Sequence, residues 1–256
     1  MRVRVKFSKT GAMKFIGHLD VMRYFQKALR RADIPFALSG GFSPHILMSF
    51  AAPLGVGKTS TGEYFDLDLR ENADPEDIRI RLNGQMTEGF SVLSVCEIPE
   101  EKGSKGMSLV AAADYTVIFP APEENRHQEG LTDDSYDGCP LYSPEEAGFS
   151  EECIRRFMDQ KEIPVMRRTK RKEEITDIRP WILSLFADRR AVHMRLSAGS
   201  VQNLKPELVM QSLRAFAGTG DPDSPIRINR DEILAEVPEG DGTCYKPLDA
   251  LGVGSV

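Results

Sequence analysis

Two hydrophobic periods alternate through residues 1–100, and their order limits the folds that this chain can adopt. Val3, Val5 and Phe7 alternate with charged residues, which predicts a half-buried strand. From residue 18 to residue 32 the apolar side chains recur at three- and four-residue steps, which predicts an amphipathic helix. A strand followed by such a helix requires a layered fold in which helices pack on a sheet.

The next segments complete this pattern. Residues 35–39 and 63–69 predict two further strands, Asp74 and Pro75 begin a second helix, and residues 90–98 predict a last strand. The resulting order, β-α-β-β-α-β, is that of the ferredoxin-like fold. We therefore expect an α+β chain.

The length of 256 residues favours two domains rather than one. Beyond a polar linker, the second half shows a similar order of predicted strands and helices, although its hydrophobic periodicity is weaker. We expect two tandem ferredoxin-like (βαββαβ) units, at residues 1–100 and 107–240, with a tail at 241–256. An acidic, turn-rich insertion is expected at residues 121–143.

The net charge of −6 conceals an uneven distribution. Residues 1–31 contain nine Lys or Arg and one acid, whereas residues 120–152 contain ten acids and one Arg. The first helix presents one cationic face, and a second cationic run follows later in the chain. Such clusters favour contact with phosphates, although a solvated surface is the alternative interpretation. Their residues are Arg23, Lys27, Arg30 and Arg31 on the helix, and Arg167, Arg168, Lys170, Arg171 and Lys172 in the run.

Several classes of site are excluded by the motifs. The Gly57-Lys58-Thr59 segment lacks a phosphate-loop glycine, because Ala52 stands at that position, and a strand rather than a helix follows it. The four cysteines match no zinc or iron–sulfur spacing, so we expect no metal, no cofactor and reduced thiols. No apolar stretch reaches membrane-spanning length and no signal sequence precedes the first strand, which predicts a cytoplasmic protein without membrane contact.

Catalytic residues are not evident from the sequence, which favours a binding protein over an enzyme. His18 and His45 are the speculative candidates for an acid or a base, because each lies at a helix start or in a loop. The alternative is a helix-start residue for His18 and a packed loop residue for His45. Sequence spacing does not decide whether the two histidines meet.

Five short runs of the first half resemble a bacterial domain of unknown function associated with radical SAM proteins. They are Gly17-His18-Leu19-Asp20, Arg30-Arg31-Ala32-Asp33-Ile34-Pro35, Ser39-Gly40-Gly41-Phe42-Ser43-Pro44-His45, Pro53-Leu54-Gly55-Val56-Gly57 and Gly62-Glu63-Tyr64. The resemblance implies a bacterial cytoplasmic protein whose partner is a radical SAM enzyme, and a motif cleft made of the carried-over positions. Those positions are His18, Asp20, Ser39, Phe42, Pro44, His45 and Glu63, together with Arg30 and Arg31. This chain has no three-cysteine cluster motif, so the radical chemistry would belong to the partner.

The leading functional hypothesis is a non-catalytic module that binds RNA or cooperates with a radical SAM enzyme. Two alternatives are a metal-independent endoribonuclease of tandem ferredoxin-like type and a pure protein-interaction subunit. The RNA hypothesis depends on cationic side chains that form one continuous surface.

Overall fold

The computed structural model describes residues 1–121, 141–168, 173–218 and 224–253. The chain is rich in strand and has few helices, which confirms the predicted α+β class. The helices are α1 (His18–Arg31), α2 (Pro75–Asn83), α3 (Gly106–Leu109), α4 (Glu151–Met158) and α5 (Pro206–Ala217). The strands are β1 (Arg2–Lys9), β2 (Met48–Phe50), β3 (Thr59–Asp68), β4 (Phe90–Ile98), β5 (Val110–Pro120), β6 (Leu141–Tyr142), β7 (Pro164–Arg168), β8 (Glu173–Asp177), β9 (Ile182–Ala187), β10 (Val192–Ser197), β11 (Arg227–Glu239) and β12 (Gly242–Pro247).

The chain divides into two compact units, and the first of them is discontinuous in sequence. Unit 1 consists of residues 1–113 and 230–256, and unit 2 consists of residues 114–229. This division differs from the expected domains, because the segment predicted as a tail forms β12, which pairs with β11. Most of the expected acidic insertion, residues 122–140, lies outside the described residues.

Unit 1 is built on an antiparallel sheet in which β1 lies between β3 and β4, and β2 pairs with β3. Alternate residues of β1 point toward the helices, as the sequence predicts. Val3, Val5 and Phe7 are fully buried there against α1 residues such as Phe25 and Leu29. Burial of these side chains supplies the hydrophobic stabilisation of this unit.

The other face of β1 is also buried, which the alternation of charged residues does not predict. Arg4 is 1% exposed and forms two hydrogen bonds with Asp66, at 2.8 and 3.2 Å. It also donates to the carbonyl oxygens of Ser104 and Leu248. Lys6 pairs with Glu232 at 2.5 Å. The cations of β1 therefore join distant segments of unit 1 and do not extend the cationic surface of α1.

Unit 2 contains strands in the order β5-β10-β9, and α4 contacts both β9 and α5. Its buried residues include Tyr115 and Val117 of β5 and Val192 and Met194 of β10. Strands β7 and β8 form a separate two-stranded ladder. Among the described residues, no helix has the length and apolar character needed to cross a membrane.

Candidate functional site

Lys9, Glu63 and Arg230 are buried in unit 1, and together with the half-buried His18 they form what we call the buried charge cluster. Glu63 pairs with Phe7 across β1 and β3, so its side chain points to the same face as the core phenylalanines. His18 is the first residue of α1, and its ring packs edge-on against Phe50 at 5.1 Å. The cluster therefore lies where the helix begins and the apolar core ends.

The centre of the buried charge cluster is a two-point ion pair. The guanidinium group of Arg230 donates to both carboxylate oxygens of Glu63, at 2.7 and 2.5 Å, and also to the carbonyl oxygen of Ala52. Arg230 is 5% exposed and Glu63 is 3% exposed. At this depth the loss of hydration is large, so each charge depends on its partner.

Lys9 and His18 complete the cluster. Lys9 is 2% exposed, and its ammonium group donates to the carbonyl oxygen of Ile16 at 2.9 Å. Burial lowers the pKa of Lys9, while the Glu63 charge opposes that shift and Arg230 adds to it. Burial also lowers the pKa of His18, where Glu63 again opposes the shift and Lys9 adds to it. The neutral form of His18 is thereby favoured in the folded protein.

Close packing of the backbone explains why a glycine stands at residue 62, in the Gly62-Glu63-Tyr64 run. At Gly62 a side chain would collide with the backbone of Asp231 and Glu232, because β3 and β11 approach each other closely there. Ser60 adds a hydrogen bond from its hydroxyl group to the carbonyl oxygen of Arg230, at 2.7 Å. Nearby, the amide of Gly57 donates to the carbonyl oxygen of Lys14. The runs at residues 17–20 and 62–64 therefore contribute His18 and Glu63 to the cluster, and the run at residues 53–57 is tied by Gly57 to the segment that precedes α1.

The predicted motif cleft is only partly assembled. His18 and Glu63 influence each other electrostatically, whereas Asp20 is exposed and pairs with Arg23. His45 lies in a separate hairpin, where its Nδ1 atom and its amide both contact the hydroxyl group of Ser39, at 2.8 and 3.1 Å. Phe42 and Pro44 are exposed at the tip of this hairpin. The candidate positions are thus separated: His18 and Glu63 lie in the buried charge cluster, Asp20 lies on the exposed side of α1, and the others lie in the hairpin.

The α1 cationic face consists of Arg23, Lys27, Arg30 and Arg31, which are all exposed as predicted. Arg30 lies over the ring of Phe36 at 5.9 Å, and Arg31 donates to Gln85. Arg23 forms an ion pair with Asp20, in which a guanidinium nitrogen lies 3.3 Å from a carboxylate oxygen. Lys27, Arg30 and Arg31 form the part of this face that is not paired with an acid among the described residues.

The second cationic run begins at the end of β7. The guanidinium group of Arg167 lies 4.9 Å from the centre of the Trp181 ring, a cation–π contact that fixes its direction. Lys170, Arg171 and Lys172 lie outside the described residues, as does the side chain of Arg168. Arg167 is therefore the one member of this predicted RNA-binding run whose side chain lies within the described residues.

Sequence reasoning missed Lys9 and Arg230 as members of the cluster. Lys9 lies at the end of β1, two residues after the core residue Phe7, and belongs to no motif; Arg230 follows Glu63 by 167 residues. No periodic signal connects residues at that separation. Within the described ranges, no group of three His, Cys, Asp or Glu residues is placed to hold a metal ion.

A family model described as an uncharacterized protein conserved in bacteria (DUF2344) matches residues 2–206. The chain belongs to this bacterial family. The matched range includes Lys9, His18 and Glu63 of the cluster and the α1 cationic face, but it ends before Arg230. No curated protein matches the chain. Membership in the family therefore assigns no activity.

The pH dependence of stability provides a test of the buried charge cluster. Since the pKa of His18 is lowered by folding, the unfolded chain binds more protons below about pH 6.5, and stability should fall as the pH decreases through that region. One proton accounts for a slope of at most about 1.4 kcal/mol per pH unit. In urea titrations at several pH values, His18→Gln should remove this component.

The matched control is His45→Gln, which changes an exposed histidine outside the cluster. It should retain the slope of the unmodified protein. Identical slopes for the unmodified protein and His18→Gln would show that His18 does not contribute to the pH dependence.

Proposed function

We propose that this chain is an RNA-binding accessory module that works with a radical SAM enzyme. The observation that supports RNA binding is the exposed arrangement of Lys27, Arg30 and Arg31 on one side of α1, opposite the buried Phe25 and Leu29. These positions lie within about one helical turn of each other, so their charges act on the same stretch of an anionic partner.

The fold supports the same proposal by analogy. In unit 1, β1 lies between β4 and β3, β2 pairs with β3, and helices follow β1 and β3, which supports a ferredoxin-like arrangement. In unit 2 the order β5-β10-β9, with α4 before β9 and α5 after β10, matches three strands of the same arrangement. We infer two ferredoxin-like units in tandem, the second of which carries the β7–β8 ladder as an addition. Folds of this kind serve many functions, so it is the cationic side chains, and not the fold, that favour RNA as the ligand.

The salt dependence of RNA affinity tests this proposal. The triple variant Lys27→Gln, Arg30→Gln, Arg31→Gln should bind a labelled RNA hairpin with a single-stranded tail more weakly than the unmodified protein. If each cation contacts one phosphate of the single-stranded tail, the slope of log K against log salt should become shallower by about 2. Fluorescence anisotropy at several salt concentrations measures this slope.

A control with the same change of net charge is Lys105→Gln, Lys161→Gln, Lys246→Gln, at exposed positions outside α1. The control should keep the slope of the unmodified protein. Equal slopes for the two triple variants would exclude α1 as the RNA-binding surface.

The radical SAM partner is supported by the resemblance of the first-half motifs. A pull-down of the intact chain with its proposed enzyme partner should depend on RNA if the RNA is the shared substrate. Retention of the enzyme after nuclease treatment would instead favour the pure protein-interaction subunit.

A second candidate function, metal-independent RNA cleavage, is favoured by the position of His18. A histidine whose neutral form is favoured, close to the charges of Lys9 and Glu63, has the components of an acid–base site beside a cation. His45 is no longer part of this hypothesis, because it contacts Ser39 in the separate hairpin. Cleavage of a structured RNA in the presence of EDTA, lost in His18→Ala and retained in His45→Ala, would establish it. Intact RNA with the unmodified protein would exclude it.

A further inference from the structure

Unit 2 presents an ordered pair of rings on the exposed face of its sheet. Phe186 of β9 and His193 of β10 are cross-strand partners, and their rings stack with centres 5.0 Å apart at an angle of 26°. The opposite face of the same strands is buried through Leu185, Val192 and Met194. Phe186 is nevertheless 55% exposed, near the end of β9 that leads into the turn, an unusual exposure for a phenylalanine in a paired strand.

Both nitrogen atoms of the His193 ring are held in place. Nε2 lies 2.9 Å from a carboxylate oxygen of Asp188, and Nδ1 lies 3.1 Å from the hydroxyl oxygen of Thr116. The ring is therefore fixed in the plane that supports Phe186. The stacked pair is preorganised, so a further planar group would lose little side-chain entropy on binding to it.

The charges around the stacked pair favour an anionic ligand. Arg189 and Arg190 are exposed in the β9–β10 turn, and Arg195 lies on the same face of β10 as His193. The nearby carboxylates are occupied. Asp188 accepts hydrogen bonds from the amides of Arg190 and Ala191 and contacts His193, and Asp114 accepts two from Arg195, at 2.7 and 2.9 Å.

A groove of about 830 Å³ adjoins the turn, and in its lining four acids, Glu145, Glu151, Glu152 and Asp188, outnumber two cations, Arg155 and Arg189. These acids repel phosphate, so the backbone of an anionic strand is expected to run away from the groove and across β10.

We propose that the Phe186–His193 pair stacks the bases of single-stranded RNA, while the arginines of the turn contact its phosphates. The inference rests on the proposed RNA-binding function. It adds a second contact surface, in unit 2, that binds the bases of RNA as well as its phosphates. Exposed aromatic rings on a sheet are a known means of binding unstacked bases.

The experiment compares two labelled probes of equal length, an oligouridylate and an oligonucleotide with the same phosphates and abasic sugars. The unmodified protein should bind the oligouridylate more tightly. Phe186→Ala should weaken oligouridylate binding at least about fivefold, leave abasic binding unchanged and thus abolish the preference. His193→Ala should have a smaller effect in the same direction. Ile175→Ala, which removes an exposed apolar side chain without a ring from the same unit, should change neither affinity.

The outcomes separate the two proposals. Equal affinity of the unmodified protein for both probes, or a preference that survives in Phe186→Ala, would overturn base stacking while the α1 surface still binds phosphates. In that case the Lys27, Arg30 and Arg31 triple variant would still show the shallower salt slope. Binding of neither probe by the unmodified protein would overturn both proposals.

Discussion

Replacement of Glu63 by alanine is expected to lower the free energy of unfolding by about 3–5 kcal/mol. The carboxylate of Glu63 receives two hydrogen bonds from Arg230 and acts on the buried Lys9. Its removal leaves two buried cations without the negative charge that faces them, and their lost hydration is no longer offset. Urea unfolding followed by circular dichroism measures the change.

Two variants test whether charge, rather than general disruption, causes this loss. Glu88→Ala, at an exposed glutamate, should change the unfolding free energy by less than about 0.5 kcal/mol. The double variant Glu63→Leu, Arg230→Met should recover part of the loss, because an apolar pair of similar size removes both the charge and its partner. If Glu63→Ala unfolds at the same urea concentration as the unmodified protein, the Glu63–Arg230 ion pair does not stabilise the fold.

Phe25→Ala is expected to cost about 3–5 kcal/mol through loss of core packing. The ring of Phe25 is fully buried and contacts Phe7 at 4.6 Å, Phe65 at 5.0 Å and Phe90 at 5.6 Å. Alanine leaves a cavity at the point where α1 meets the sheet, and the neighbouring rings can fill it only partly.

The exposed Phe15 provides the control, since Phe15→Ala removes the same ring from a position with little packing. Its effect should lie below about 1 kcal/mol. Because the α1 cationic face lies on the opposite side of the helix, Phe25→Leu, which keeps most of the packing, should preserve RNA binding. A loss of stability that is the same for Phe15→Ala and Phe25→Ala would argue against the central position of Phe25.

The spacing of apolar residues in the sequence correctly predicted which side chains of α1 and β1 form the core of unit 1. The helical spacing of Val21, Phe25 and Leu29 identified the residues that contact the sheet, and the alternation of β1 identified Val3, Val5 and Phe7. These predictions succeed because periods of 3.6 and 2 residues follow directly from backbone geometry.

The same reasoning failed for the second face of β1. Arg4 and Lys6 look like solvated residues in sequence, but acids and carbonyl oxygens from residues 66 to 248 reach them. A charge can be buried when its partner comes from a remote segment, and local periodicity contains no information about that segment. The Glu63–Arg230 pair was unpredictable for the same reason.

The candidate site shows a similar division between what sequence reveals and what it does not. Exposure of Lys27, Arg30 and Arg31 follows from helix geometry and was predicted. Association of His18 with Lys9 required the path of residues 10–17, which returns the chain to the end of β1. The Phe186–His193 stack depends on the register in which β9 pairs with β10, and no sequence motif predicts that register.

The interrupted sequence of unit 1 has a consequence for the order in which the chain folds during synthesis. Residues 114–229 emerge from the ribosome as one continuous stretch, so unit 2 can reach its native contacts before translation ends. Unit 1 needs Arg230 and Leu248 for its interior ion pairs and hydrogen bonds, and it stays incomplete until residues 230–248 have been made. Nascent chains stalled when residues up to 229 have left the ribosome should therefore contain a protease-resistant unit 2 and a protease-sensitive N-terminal segment.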